Sequence, residues 1–465
     1  EMIKFIKKYI NTYSDWIIII VFIIFVVFGL LRPGSLYFKI SYPALSFIAG
    51  LLLYFLKPFR YISFILWIWV LNPCIRRVVD FQLEWDHLNT VILTPYLVLS
   101  PTLITFIHRL GYLSKKTLLA FIMIFISIGY GYILGVVNNG MFSASFELLT
   151  WILPVFFGIH IILQFKTYNH CKAIIQKTFI WIILVIGTYG LLQFIFLFDW
   201  DKYWMISSQM KAIGGAESFK VRVFSTLNSP NVFARVMLVG LLLLFNNRGA
   251  VAATSATFGY IAFLLSMVRS AWGGWMLGVS FAILRAKKRF KIHIFLVIIV
   301  VCILLMPFLF FTPINEQMSS RFQSISNIKD DISLKKRIHE YVVFLPQSLF
   351  NLKGQGFGGI GLLARINQSK YKYMRLHSEI IYLPYSLGFF AGLTYIIALF
   401  GLLSNTFQTS LAKKDQFTII NETIIVAIFS QAIFSRVLVS MPGLMLWMFL
   451  GLALARKKYF CLKVD

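Results

Sequence analysis

The sequence predicts an all-α, polytopic integral membrane protein with about 12–14 transmembrane helices and one large outer loop containing short helices. Three observations predict it. Of the 465 residues, 59% are hydrophobic and only 13% are charged, far from the composition of soluble domains. Run after run reaches the ~18–20 apolar residues needed to cross a bilayer core. The runs are continuous, whereas the strands of a membrane β-barrel alternate apolar and polar residues, so a barrel is excluded.

Taken in order, the first apolar run is Trp16–Leu31, preceded by Lys4, Lys7 and Lys8. Basic then apolar is the order of a signal peptide. The run is too long for one and no small-residue cleavage site follows, so it reads as a retained first span. Further spans are expected near 41–57, 61–75, 88–107, 117–137, 147–164, 173–198, 230–247, 251–268, 270–285, 291–312, 379–404, 417–435 and 437–455. The short pieces at 61–75, 251–268 and 270–285 separate a count of fourteen from one of twelve. The chain divides into N-terminal spans (1–218), spans carrying arginine motifs (219–312), a polar loop (313–378) and C-terminal spans (379–465).

Lysines and arginines in short loops set the orientation. Lys57/Arg60, Lys115/Lys116, Lys166/Lys172, the run Arg285–Lys291, Lys413/Lys414 and Arg456–Lys458 fall on one side with the N-terminus, the cytoplasmic side. Arg76/Arg77 fit this scheme poorly. The loops 199–222 and 313–378 then lie outside. The net charge of +27 is spread over short loops rather than a basic domain, so it reflects orientation and anionic headgroups and does not point to nucleic acid. Cys74, Cys171, Cys302 and Cys461 are scattered without CxxC spacing, and no histidine pair has HExxH spacing. Neither a disulfide framework nor a metal site is expected, and no cofactor is implied. Asp199-Trp-Asp201 is a weak acidic pair.

Between Thr312 and Ser378 ten Lys/Arg stand against four Asp/Glu, a net +6 on the outer side. That charge calls for a polyanion. Residues Ile332–Leu349 have an amphipathic helical pattern, with Ile338, Tyr341, Val342, Leu345 and Leu349 on one face after Lys335-Lys336-Arg337. Such a helix suits a membrane surface. Its arginine either forks onto phosphate or is simply solvated. Arg321 and Arg375 add to the same basic loop. The glycines of Gly354-Gln-Gly-Phe-Gly-Gly359 read as a flexible turn, with no GK[ST] to make a P-loop.

Three clusters remain. Arg222 leads to Asn228-Ser-Pro-Asn231, where Pro230 and Asn231 suit a helix start capped by Asn228 or Ser229; the same start is an anion site. Arg269, in Ser266-Met-Val-Arg-Ser, either lines a polar cavity or snorkels to the interface. In His377-Ser-Glu379, Ser378 is expected as an N-cap and Glu379 as the favourable first-turn acid. That leaves His377, next to Arg375, as a donor to diphosphate or a base towards a hydroxyl.

The order of these features, across Phe219–Leu402, resembles the O-antigen ligase and Wzy-type polymerase superfamily of bacterial membrane glycosyltransferases of the GT-C type. The resemblance implies metal-independent, inverting transfer from an undecaprenyl-diphosphate-linked glycan at the outer face of the bacterial cytoplasmic membrane. It places Arg222, Arg269, Arg337 and His377 around the diphosphate. The residues themselves add Glu379 as the other candidate base and Arg321, Arg375 and Asn231 as candidate binding residues, with His377, Glu379 and Arg337 expected to carry the catalysis. Implied partners are a glycan or lipid A–core acceptor, membrane lipids and a chain-length regulator. Polymerase and ligase are not separated by these motifs. A transporter of the same lipids would need charges within several spans and repeated halves, neither of which is evident.

Overall fold

A computed structural model describes residues 2–32, 36–247, 249–309, 332–360, 376–407 and 416–461. Among them the regular structure is helical, and eight helices are long and apolar enough to cross a bilayer. The helices are α1 (Met2–Leu31), α2 (Leu36–Leu56), α3 (Pro58–Leu83), α4 (Thr94–Leu99), α5 (Thr102–Arg109), α6 (Lys115–Asn139), α7 (Met141–Leu163), α8 (Tyr168–Phe196) and α9 (Asp199–Ser208). They continue as α10 (Pro230–Leu244), α11 (Ala250–Leu265), α12 (Arg269–Arg285), α13 (Lys288–Leu309), α14 (Ile332–Phe350), α15 (Glu379–Ser404), α16 (Gln416–Ser430) and α17 (Ser440–Cys461).

The chain forms two compact units, each built from non-consecutive stretches. One comprises Glu1–Ile104, Asn169–Gly240 and Gly249–Ser266; the other comprises Thr105–Tyr168, Leu241–Arg248 and Met267–Asp465.

In the first unit, Phe22, Phe25 and Val26 of α1 recur at helical spacing and pack on Phe38 and Tyr42 of α2. Phe22 meets Phe64 of α3 edge-on at 5.2 Å. Arg76 and Arg77 fit the orientation rule poorly because α3 does not end at residue 75. It runs on to Leu83 with both arginines buried and paired: Arg76 Nε lies 3.2 Å from Asp80, and Arg77 Nε 2.8 Å from Asp201. A fully buried guanidinium is tolerated only when paired and hydrogen-bonded. Arg77 therefore also donates to the carbonyls of Ser225 and Leu227. Asp201 accepts from Gln193 at 2.7 Å and Tyr189 at 3.0 Å, which accounts for one acid of the Asp-Trp-Asp. The expected span at 88–107 forms as one membrane-length helical run, Thr90–Tyr112, made of a 3-10 turn (Thr90–Leu93, capped by Asn89), α4 and α5, with Pro95 in the first turn of α4 and Pro101 between α4 and α5.

In the second unit, α7 and α17 approach through glycine. A Cβ on Gly158 would lie 2.8 Å from the Trp447 carbonyl oxygen, and one on Gly451 2.6 Å from that of Gly158. Small residues let membrane helices come this close. Farther round, α12 packs on α16, with Arg285 bonded to the buried Glu422 at 2.9 Å.

Candidate functional site

The second unit gathers polar groups around a short stretch, Gln431–Leu438, between α16 and α17, which opens as a 3-10 turn (Gln431–Ile433) and continues as irregular chain. Gln431 Nε2 donates to the Ser270 carbonyl at 2.9 Å, tying the stretch to the first turn of α12, which opens at Arg269. Ser378 Oγ donates to the Ala432 carbonyl at 3.2 Å and accepts from the Ile380 amide, the expected N-cap of α15. Glu379 is buried, and its carboxylate accepts from the amides of Val437 at 2.6 Å and Leu438 at 2.9 Å. That shape gives Glu379 a holding role: it fixes the start of α17 against the start of α15.

Helix α14 forms over the expected residues and brings Arg337, Glu340 and Tyr341 to one face, since i, i+3 and i+4 are neighbours on a helix. Tyr341 Oη bonds Ser378 Oγ and the Ile433 carbonyl, each at 2.7 Å. The Arg337 guanidinium lies over the Phe434 ring at 5.4 Å. Glu340 Oε1 meets His377 Nδ1 at 2.7 Å, while the His377 side chain is 50% exposed. A carboxylate on Nδ1 holds the imidazole and leaves Nε2 free of that bond. Of the predicted apolar stripe, Ile338, Val342 and Leu349 stay exposed.

The glycine run is not a flexible turn. Gln355 and Gly356 donate to the Tyr385 and Ser386 carbonyls at 2.8 and 3.0 Å, and Phe357 donates to Gly131 at 2.9 Å. Gly354, Gly356 and Gly358 all have positive φ, which L side chains avoid. Alternate residues face three different helices: added Cβ atoms would come within 2.4 Å of Gly388 N on α15, 2.2 Å of Gly135 N on α6 and 2.8 Å of Ala144 N on α7. The Phe357 ring stacks on Trp151 at 5.4 Å. Beneath it, Glu147 accepts from the Gly358 amide at 2.6 Å, from Arg436 at 2.7 Å and from the Tyr382 hydroxyl. Arg436 also lies over the Tyr382 ring at 3.6 Å.

Thus Arg269, Arg337, His377 and Glu379 belong to one unit and border the same stretch. Arg222 and Asn231 belong to the other unit. There, Arg222 donates to the carbonyls of Ala212 at 2.8 Å and Ser266 at 3.3 Å. Asn231 sits in the first turn of α10, capped by Ser229, whose hydroxyl accepts from Val232 N at 3.3 Å. Arg321 and Arg375 lie outside the described residues. Sequence reasoning missed Glu147, Glu340 and Arg436. Two of them carry a signal: Glu147 is the lone carboxylate of its apolar run, and Arg436 the lone base between two spans. A charge so placed needs a partner. Among the described residues no group of three or more His, Cys, Asp or Glu is placed to hold a metal ion.

A scan against protein-family models gives no match, and a search of curated proteins finds no similar sequence.

Proposed function

We propose that this protein is a membrane glycosyltransferase that polymerises polyprenyl-diphosphate-linked oligosaccharide repeat units at the outer face of the bacterial cytoplasmic membrane. The observation that carries the reading is the half-exposed His377, held at Nδ1 by Glu340 one helical turn from Arg337, two residues before the membrane-length helix α15. A histidine oriented by a carboxylate is the arrangement of a general base. His377 Nε2 takes the proton of an acceptor hydroxyl. The hydroxyl oxygen attacks the anomeric carbon from the side opposite the lipid diphosphate and forms the new glycosidic bond. The bond from that carbon to the phosphate oxygen breaks, and its electron pair leaves with the diphosphate. Negative charge grows on the departing oxygen, and a fixed guanidinium at Arg337 stabilises it, by about 2–4 kcal/mol where such donors have been removed in other enzymes.

The test is transfer by the purified protein in detergent with EDTA, using polyprenyl-diphosphate-linked repeat units. A ladder of longer lipid-linked glycans is expected, with His377→Ala and Arg337→Ala each slowed about 100-fold. Transfer only after lipid A–core is added makes the protein a ligase. No transfer to either acceptor, or equal rates in wild type and His377→Ala, refutes the reading.

A further inference from the structure

Independently of the transferase reading, the first unit carries a basic cleft of about 510 Å³ where α2 turns into α3 beside the start of α8. The turn is abrupt. Lys57 is the only residue between the two helices, with φ −144° and ψ 69°, and Pro58 opens α3. On α8, His170, Ile174 and Lys177 line the cleft at i, i+4 and i+7, a single helical face. Two contacts fix the two sides: the Phe59 ring meets the His170 ring at 5.0 Å, and Ser63 Oγ bonds Thr178 Oγ1 at 2.7 Å.

The lining is two-sided. Lys57, Arg60 and Lys177 are cations, and among the described lining residues none is acidic. Leu56, Phe59 and Ile174 give it an apolar wall. The helices leaving this corner continue that wall: Ile48, Leu52 and Phe55 on α2 and Trp181 and Val185 on α8 are exposed at helical spacing. A charged rim over an apolar track fits an amphiphile better than a free ion, because inorganic phosphate has no use for the track. Lysine and arginine loop charge puts the corner on the cytoplasmic side, where anionic lipid is attracted to basic pockets between spans.

We infer that this cleft binds the phosphate headgroup of an anionic membrane lipid. The headgroup sits among Lys57, Arg60 and Lys177, and an acyl chain lies along Ile174, Trp181 and Val185.

The experiment is native mass spectrometry of the full chain in detergent, titrated with phosphatidylglycerol, phosphatidylcholine or inorganic phosphate. Wild type is expected to retain phosphatidylglycerol over phosphatidylcholine. Each nearby cation contributes about fivefold to lipid affinity, so Lys57→Gln/Arg60→Gln weakens phosphatidylglycerol about 30-fold. The same charge change at Lys287→Gln/Lys288→Gln, on exposed residues elsewhere, leaves it unchanged. Should the first double variant not fold, Lys177→Gln removes one exposed cation and lowers affinity about fivefold. Equal phosphatidylglycerol binding by wild type and the cleft variants overturns the inference. So does inorganic phosphate competing at the same concentration as the lipid, which makes the cleft a free-anion site.

Discussion

Replacing Glu147 by alanine should release the glycine loop while leaving the rest of the fold in place. Its carboxylate, only 8% exposed, takes hydrogen bonds from the Gly358 amide, Arg436 and Tyr382. Bonds to a charged group contribute about 1.5–3 kcal/mol each, so three bonds set an upper range of about 5–9 kcal/mol. The net is smaller. Arg436 is 23% exposed and recovers water when its partner goes, and it keeps its contact with the face of the Tyr382 ring. A value of about 3 kcal/mol, the low end for removing one partner of a buried pair, is the working figure. It corresponds to roughly a 100-fold rise in local opening. Amide hydrogen exchange reads this directly. Peptides covering Gly354–Ile360 should exchange about 100-fold faster in Glu147→Ala. Glu147→Gln, which keeps an acceptor oxygen but not the charge, should fall between. Peptides covering α2 and α3, in the other unit, should not change. Exchange of the loop within threefold of wild type would show that the carboxylate does not hold it, and the reasoning would fail.

Other expectations rest on the same accounting. Asp201→Ala strands the fully buried Arg77 and should cost about 3–5 kcal/mol, read as a lower thermal unfolding midpoint in detergent. Gly356→Ala forces a Cβ towards the α6 backbone at positive φ and should cost at least about 3 kcal/mol, seen as loop exchange like that of Glu147→Ala. Partial burial pushes the Asp86 carboxyl up, but its bonds from Lys39 and the Leu88 amide, with the charges of Lys39 and Arg76, outweigh this and hold it below the usual range. Asp86 therefore adds stability above about pH 4, the ordinary aspartate value, and that stability fades as pH falls below it. Thermal unfolding between pH 5 and 3 should show this loss in wild type and a smaller one in Asp86→Asn.

Apolar periodicity and caps reveal the helices well. Ser378 caps α15 as its position predicts, and α14 forms where Ile338, Tyr341 and Val342 mark a helical stripe. The errors come where a long-range partner overrides a local rule. Arg76 and Arg77 look like loop charges until Asp201, far along the chain, is placed beside them. Gly354–Gly359 looks loose because glycine is permissive, yet here that permissiveness serves close approach to three helices. Of the candidate site, Arg337 and His377 were visible as residue types near a span. Their link through Glu340 depends on the α14 face meeting the start of α15, which no local pattern encodes.

The wedged glycine loop also bears on how the chain is made. Asn138 of α6 and Gln355, whose carbonyl it bonds, are 217 residues apart. At a synthesis rate of about 5–20 residues per second, the α6 groove stays open for roughly 10–40 s after it emerges. The loop then waits further for α15, which supplies Tyr385, Ser386 and Gly388. Completion of this unit is therefore a late event in biogenesis. A nascent chain halted before α15 carries α6 and α7 with their glycine notches unfilled, and it is at that stage that the membrane insertion machinery has most to shield.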